Sequence, residues 1–211
     1  MGLNVVSLFD HSAVLLEPWS ESGFDCWAVD IAHPRGHTVR DDGVNLIGHD
    51  LAVPWLPPFP KSSIAFVAAF PPCDHLAVSG ARWFAGKGLR ALARSVELFA
   101  TAAEFCEWSD APYFIENPVS TISTYWRKPD HIIHPWQYAG LHSADNYTKT
   151  TCLWTGGGFV LPEPEPLDAP GLFNGKPPDD RIHKMPPSAQ RAALRSETPR
   201  GLALALHAAN Q

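Results

Sequence analysis

The apolar run SIAFVAAFPP, residues 63–72, decides the fold of this chain. It carries no charge and ends at two prolines, which is typical of a strand covered on both faces. A helix is predicted over 12–23, from Ser12 to Gly23, and an apolar stripe predicts another over about 87–108. Further strands are predicted at 4–9, 25–31, 44–51, 111–118 and 149–154, and a closing helix at 197–210. Strands alternating with helices predict an α/β protein with a mostly parallel, doubly wound, Rossmann-like sheet.

The length and composition favour one domain over residues 1–211. A chain of 211 residues with 45% hydrophobic content can bury one substantial core. No run approaches the roughly 18 apolar residues that span a bilayer, and the N-terminus lacks the basic region of a signal peptide. We therefore expect a cytoplasmic protein with no membrane partner.

The cysteines and the charge exclude several classes of protein. The four cysteines, at 26, 73, 106 and 152, contain no C-x-x-C pair, and the histidines fit no compact ligand set, so no metal site is predicted. A formal net charge of −6 argues against strong non-specific adhesion to nucleic acid, although a local basic patch could still bind it.

Chemically active side chains recur where the predicted strands give way to loops. They are Asp10, Asp30, Asp50, Cys73 and Glu116. Ligands of doubly wound sheets lie at the carboxyl ends of the strands, so these residues predict one shared site. Each has a plainer alternative. A cysteine on an apolar strand is usually a small core residue, and an acid at a strand end often caps a helix or pairs with a cation.

Three segments together resemble the motif series of DNA cytosine-5 methyltransferases, particularly compact phage-encoded members. They are SLFDHSAVLLEPWSESGFDCWAVDI (7–31), FPPCDHLAVSG (70–80) and FIENP (114–118). The resemblance covers the order and spacing of elements over about 4–118, with weaker agreement at 145–154 and in the final helix.

The resemblance implies S-adenosylmethionine as cofactor and DNA with a flipped cytosine as partner. It implies a catalytic set of Cys73, Glu116 and Lys149. Cofactor contacts are expected from Phe9, Asp10, Asp30, Ile31, Asp50, Leu51 and Pro71, and substrate contacts from Ser79, Arg82, Trp83 and Asn117.

The chemistry explains why a cysteine and an acid are needed. Cytosine C5 is a poor nucleophile until another nucleophile adds at C6. The resemblance implies that the Cys73 thiolate attacks C6 while Glu116 hydrogen-bonds or protonates N3. The segment after Cys73 is expected to close over the extruded base, with Arg82 or Trp83 contacting phosphate or stacking.

The chain also departs from that family. FDHSAVL (9–15) replaces the glycine-rich turn, and its Cβ atoms restrict positive φ. A short proline-rich region, 119–190, stands where a target-recognition region is expected, so a homodimer or a partner protein could supply target recognition. Two alternatives therefore stay open: the same covalent chemistry on a modified base, a nucleotide or RNA, and a non-catalytic descendant that binds or mimics DNA.

Overall fold

The computed structural model describes residues 2–167, 177–184 and 195–211. Its strands are β1 (Asn4–Leu8), β2 (Asp25–Val39), β3 (Asn45–Gly48), β4 (Ile64–Ala69), β5 (Tyr113–Asn117), β6 (His131–Ile133) and β7 (Thr151–Gly156). They form one seven-stranded sheet in the order β3-β2-β1-β4-β5-β7-β6. β1 pairs in parallel with β2 and β4, and β4 with β5, whereas β7 is antiparallel to β5 and β6. The predicted α/β class with a mostly parallel sheet is confirmed, and the order is compatible with a Rossmann-like fold.

The helices flank this sheet in short pieces and one long element. They are α1 (Glu17–Glu21), α2 (Phe84–Lys87), α3 (Leu89–Ser109), α4 (Ile122–Tyr125), α5 (Arg181–Lys184) and α6 (Arg200–Asn210). Within the described ranges, none of them is both long enough and apolar enough to cross a membrane. Parts of the proline-rich region predicted at 119–190, namely 168–176 and 185–190, lie outside the described residues.

Two apolar clusters cover the two faces of the sheet. Phe66 of β4 belongs to the cluster that contains Leu206 of α6, while its neighbour Val67 belongs to the cluster that contains Phe99 of α3. Successive side chains of a strand point to opposite faces, so β4 is buried on both sides. This two-sided burial explains why residues 63–72 are apolar without alternation.

Two predicted boundaries need correction, and one short strand was not predicted. The helix predicted over 12–23 is a 3₁₀ turn (Val14–Leu16) followed by α1, whose first turn contains Pro18. The second strand continues to Val39, because residues 27–30 pair along β3 and residues 37–39 then return along the same strand in the opposite direction. β6 was not predicted, since three residues are too few to show a periodic pattern.

Buried Asp145 ties the start of α6 to the rest of the molecule and gives a test of the packing there. Its Oδ2 accepts a hydrogen bond from the Gly201 amide at 2.7 Å, and the side chain is almost fully buried. Burial raises the pKa of this carboxyl above its usual value, although the Gly201 amide opposes the shift. A raised folded-state pKa means that ionised Asp145 costs stability at pH 7 and that this cost disappears as the pH falls.

Asp145→Asn, which keeps an acceptor oxygen without the charge, is therefore expected to be at least as stable as wild type at pH 7. The difference in unfolding free energy between the variant and wild type should shrink on acidification to about pH 4.5. Urea unfolding of both proteins at the two pH values measures this difference. A stability difference that grows on acidification would contradict the raised pKa of the Asp145 carboxyl.

Candidate functional site

The loops that follow β4 and β5 are joined by backbone hydrogen bonds. The Val78 amide donates to the Val119 carbonyl, and the Thr121 amide donates to the Leu76 carbonyl, both at 3.0 Å. Because β4 and β5 are parallel neighbours, their carboxyl ends meet at the same edge of the sheet. The loop that carries Cys73 and the strand end that carries Glu116 are therefore held side by side.

Cys73 lies in a tight turn immediately after the two prolines. Its carbonyl accepts hydrogen bonds from the amides of Leu76 and Ala77, at 3.0 and 2.9 Å. The side chain is half-buried, in contrast to Cys26, Cys106 and Cys152, which are buried.

The surroundings of Cys73 disfavour its thiolate. Burial and the negative charges of Glu116 and Asp74 raise the pKa of the thiol to about 11, while Arg195 and Lys149 act in the opposite direction. A thiol with this pKa is protonated at neutral pH, so it is nucleophilic only after it gives up its proton.

Glu116 and Lys149 form an ion pair beside this cysteine. Lys149 Nζ lies 3.5 Å from Glu116 Oε1, and the two side chains are only 16% and 17% exposed. Glu116 Oε1 is buried yet accepts no hydrogen bond, so the contact is electrostatic. The acid, the cation and the thiol of the predicted catalytic set are thus brought together.

Polar atoms without partners concentrate around the same loops. Within the described part of the chain, buried side-chain atoms that make no hydrogen bond include His75 Nδ1, Glu116 Oε1, Asn117 Oδ1, Ser120 Oγ and Thr121 Oγ1. Each such atom costs roughly 1–3 kcal/mol unless something else binds it, so a cluster of them is typical of a ligand site.

Asn117 fixes the position of the Pro-Pro-Cys segment. Its side chain has no exposed surface, and Nδ2 donates to the Pro71 carbonyl at 2.9 Å. Pro71 is likewise buried and presents its carbonyl to Asn117. Asn117, which was predicted to contact substrate, and Pro71, which was predicted to contact cofactor, therefore lie in the site as positioning residues.

Loss of this amide is expected to loosen the site. Asn117→Ala leaves the Pro71 carbonyl unpaired and creates a small cavity, so we expect destabilisation by about 1–3 kcal/mol in urea unfolding. Ser79→Ala, on the exposed turn after Cys73, is the matched control and should change stability by less than about 0.5 kcal/mol. Equal stabilities of the two variants would contradict the positioning role.

The turn after β1 adopts left-handed backbone without glycine. Phe9 has φ 57° and Ala13 has φ 55°, so the expected restriction by Cβ atoms does not prevent this conformation. Asp10 holds the turn: its carboxylate accepts hydrogen bonds from Ser7 Oγ, Ser12 Oγ and the Ala13 amide, at 2.8, 2.9 and 2.8 Å. Asp10 is buried and its carboxylate holds the geometry of the turn, while the cofactor contact predicted for it stays a prediction.

The remaining predicted cofactor residues differ in how much polar or apolar surface they expose to a ligand. Asp30 Oδ1 accepts from the Ala32 amide at 2.7 Å, and the adjacent Ile31 is 69% exposed. Asp50 is committed to the Arg94 guanidinium of α3, with both oxygens 3.2 Å from Nη2. Leu51 is buried in the core, where it packs and has little surface for a ligand.

The predicted substrate residues Ser79, Arg82 and Trp83 lie exposed on a 3₁₀ turn (Val78–Trp83). The Arg82 guanidinium stacks on the Trp83 ring, 5.0 Å from its centroid. Arg195 was not predicted, because the sequence around it shows no strand-end or motif signal, yet its charge acts on Cys73.

Comparisons with known proteins give no relative: no family model matches this chain, and no curated protein matches its sequence.

Proposed function

We propose that this protein methylates cytosine at C5 in DNA, with S-adenosylmethionine as the methyl donor. The observation that carries the proposal is the convergence of Cys73, Glu116 and Lys149 at the adjoining ends of β4, β5 and β7. A nucleophilic thiol beside an acid is what addition to a pyrimidine ring requires. The unpartnered polar atoms around them support a site that is completed by a polar ligand.

The sheet order supports a doubly wound methyltransferase fold in this proposal. The order reverses between β1 and β4, and ligands of doubly wound sheets bind in the crevice at such a reversal. The left-handed turn at Phe9 and the Pro-Pro-Cys segment follow these two strands directly.

The residues near this crevice fit a nucleoside cofactor. Within the described ranges, no group donates a hydrogen bond to Asp30 Oδ2, so this oxygen can accept from a ribose hydroxyl, and exposed Ile31 offers an apolar surface for a base. Phe9 is half-buried at the end of β1 and would pack against the same ligand. Asp50 fits less well because Arg94 holds both of its oxygens.

The mechanism assigns one task to each catalytic residue. As Cys73 Sγ bonds to C6, the thiol proton passes through the Glu116 carboxylate to N3, so the ring becomes an enamine that is nucleophilic at C5. S-adenosylmethionine, when bound, supplies the methyl group that C5 takes. Loss of the C5 proton to a base and return of the N3 proton to Glu116 then break the C6–S bond and release Cys73.

Lys149 keeps Glu116 close to the ring and offsets part of its charge. A cytosine whose N3 interacts with Glu116 also offsets the negative charge that opposes the Cys73 thiolate. Binding of the substrate and activation of the nucleophile are thereby linked.

Nucleoside mass spectrometry on DNA from a methylase-free host tests the proposal. We expect 5-methylcytosine in cells that express the protein and none in cells that carry the empty vector. Absence of the modified base from DNA, with the protein folded, would reject DNA cytosine as substrate and favour a modified base, a nucleotide or RNA.

A further inference from the structure

The segment that follows Cys73 is strongly basic in an acidic protein. Residues 75–96 contain four cations, Arg82, Lys87, Arg90 and Arg94, and no Asp or Glu, whereas the whole chain carries a formal net charge of −6. Arg94 is held by Asp50 and Glu97, but no described carboxylate pairs with Arg82 or Arg90. Positive charge is therefore available beside the proposed site.

Exposed aromatic rings accompany these cations. Four Trp, Tyr or Phe side chains rank as exposed among the described residues: Trp83 at 61%, Trp108 at 42%, Tyr125 at 71% and Trp126 at 41%. Three of the four follow β4 or β5, and only Trp108 lies at the far end of α3. A soluble protein rarely leaves several large rings exposed together unless they contact something.

The exposed residues of 82–90, together with Tyr125, form what we call the basic aromatic face (Arg82, Trp83, Lys87, Leu89, Arg90 and Tyr125). A cavity of about 250 Å³ is lined by His75, Phe84 and Lys87 together with Leu89 and Leu92. A shallower hollow is lined by the same two leucines together with Val96, Glu97 and Tyr125. Leu89, itself 84% exposed, thus joins the cation-bearing side to the Tyr125 side.

The basic aromatic face leads directly to the catalytic loop. Val78 and Leu76 are hydrogen-bonded to the loop that precedes α4, so the turn that carries Arg82 and the helix that ends at Tyr125 are anchored to each other. Lys87 Nζ donates to the backbone carbonyl of Asp74, the residue next to Cys73, so a second hydrogen-bonded contact ties this face to the catalytic loop.

We propose that the basic aromatic face binds unpaired DNA, so that the substrate of the Cys73 site is a cytosine in a single strand. This inference rests on the proposed function and names its substrate class. Exposed rings give stacking surfaces to bases that are not paired, and cations spaced between them neutralise phosphates. A base in a single strand also reaches a catalytic pocket without the cost of leaving a duplex stack.

Fluorescence anisotropy on the full-length Cys73→Ala protein tests this inference independently of the chemistry. The probe is a labelled cytosine-containing oligodeoxynucleotide, offered single-stranded, as the matched duplex, and as an oligoribonucleotide of the same sequence. We expect the single-stranded DNA to bind at least about 10-fold more tightly than the duplex, with affinity falling about 10-fold between 50 and 200 mM salt.

Variants locate the binding surface. Trp83→Ala and Tyr125→Ala are each expected to weaken single-strand binding by about 5-fold or more, because each removes one stacking ring. Trp108→Ala is the matched control: it removes a similarly exposed ring, which lies 5.9 Å from Lys61 Nζ at the opposite end of α3, and should change affinity less than about 2-fold.

The outcomes separate the two proposals. Tighter duplex binding, tighter RNA binding, equal losses in all three variants, or a stable dimer that buries Trp83 and Tyr125 would overturn the single-strand assignment. If Trp83→Ala and Tyr125→Ala weaken single-strand binding, Trp108→Ala does not, and wild type methylates no DNA, the binding surface is supported and the proposed methylation is rejected. Methylation of duplex DNA alone would support cytosine methylation and reject single-strand binding by the basic aromatic face.

Discussion

Replacing Cys73 with alanine is expected to abolish formation of 5-methylcytosine, with a loss of at least about 10³-fold, while the fold is unchanged. The thiol is the group that would bond to C6, and the other three cysteines are buried. Cys73 is only half-buried, so its truncation should cost less than about 1 kcal/mol of stability. Nucleoside mass spectrometry on host DNA measures the product, and urea unfolding measures the stability.

Cys152→Ala is the matched control for this substitution. Cys152 lies on β7 opposite Asn117, so it is a second sulfur beside the same strand end, but it is buried. We expect this variant to keep most of the activity. Activity retained in Cys73→Ala, or lost equally in both variants, would mean that the cysteine is a packing residue and that the covalent mechanism is wrong.

Most of the sheet could be predicted because its strands are buried on both faces. β4 appears in the sequence as an uninterrupted apolar run, β1 and β5 as mostly apolar runs, and the apolar stripe of α3 repeats at helical spacing. The return of β2 along β3 could not be predicted, since residues 35–39 are exposed and therefore carry no apolar pattern. Sheet pairing at an exposed edge depends on backbone hydrogen bonds, which leave little trace in side-chain type.

The candidate site could be predicted in part because parallel strands end at one edge. This rule placed Cys73 and Glu116 together from their positions alone. The rule did not predict that the Asp10 carboxylate accepts hydrogen bonds within its own turn, because this depends on local turn geometry. It also did not predict the ion pair between Asp50 and Arg94, because Arg94 lies on α3, away from any strand end. The ion pair between Lys149 and Glu116 likewise requires the antiparallel insertion of β7, which the sequence does not reveal.

Glu116→Gln is expected to change two observables in opposite directions. Methylation should fall by about 10²–10⁴-fold, because glutamine cannot donate a proton to N3. The Cys73 thiol should become more reactive, because the negative charge that opposes its thiolate most strongly is removed and the pKa of the thiol then falls from about 11. A merely destabilising substitution has no reason to produce this combination.

Alkylation by iodoacetamide between about pH 7.5 and 9.5 measures the thiol directly, since the rate follows the thiolate fraction. Under native conditions we expect modification at Cys73 alone, because Cys26, Cys106 and Cys152 are no more than 2% exposed. Lys149→Met should act in the other direction on the thiol, slowing alkylation, while it also lowers methylation.

Asp74→Asn is the comparison that shows whether Glu116 acts as a catalytic acid or only as a negative charge near Cys73. Asp74 also raises the pKa of Cys73, although less than Glu116 does, and its side chain is exposed. We therefore expect Asp74→Asn to speed alkylation modestly and to keep methylation within about 3-fold of wild type. If Glu116→Gln behaves like Asp74→Asn, Glu116 only sets the local charge and the proton donor to N3 must be another group. If Glu116→Gln slows alkylation, the carboxylate does not oppose the thiolate, and the link between substrate binding and activation of Cys73 fails.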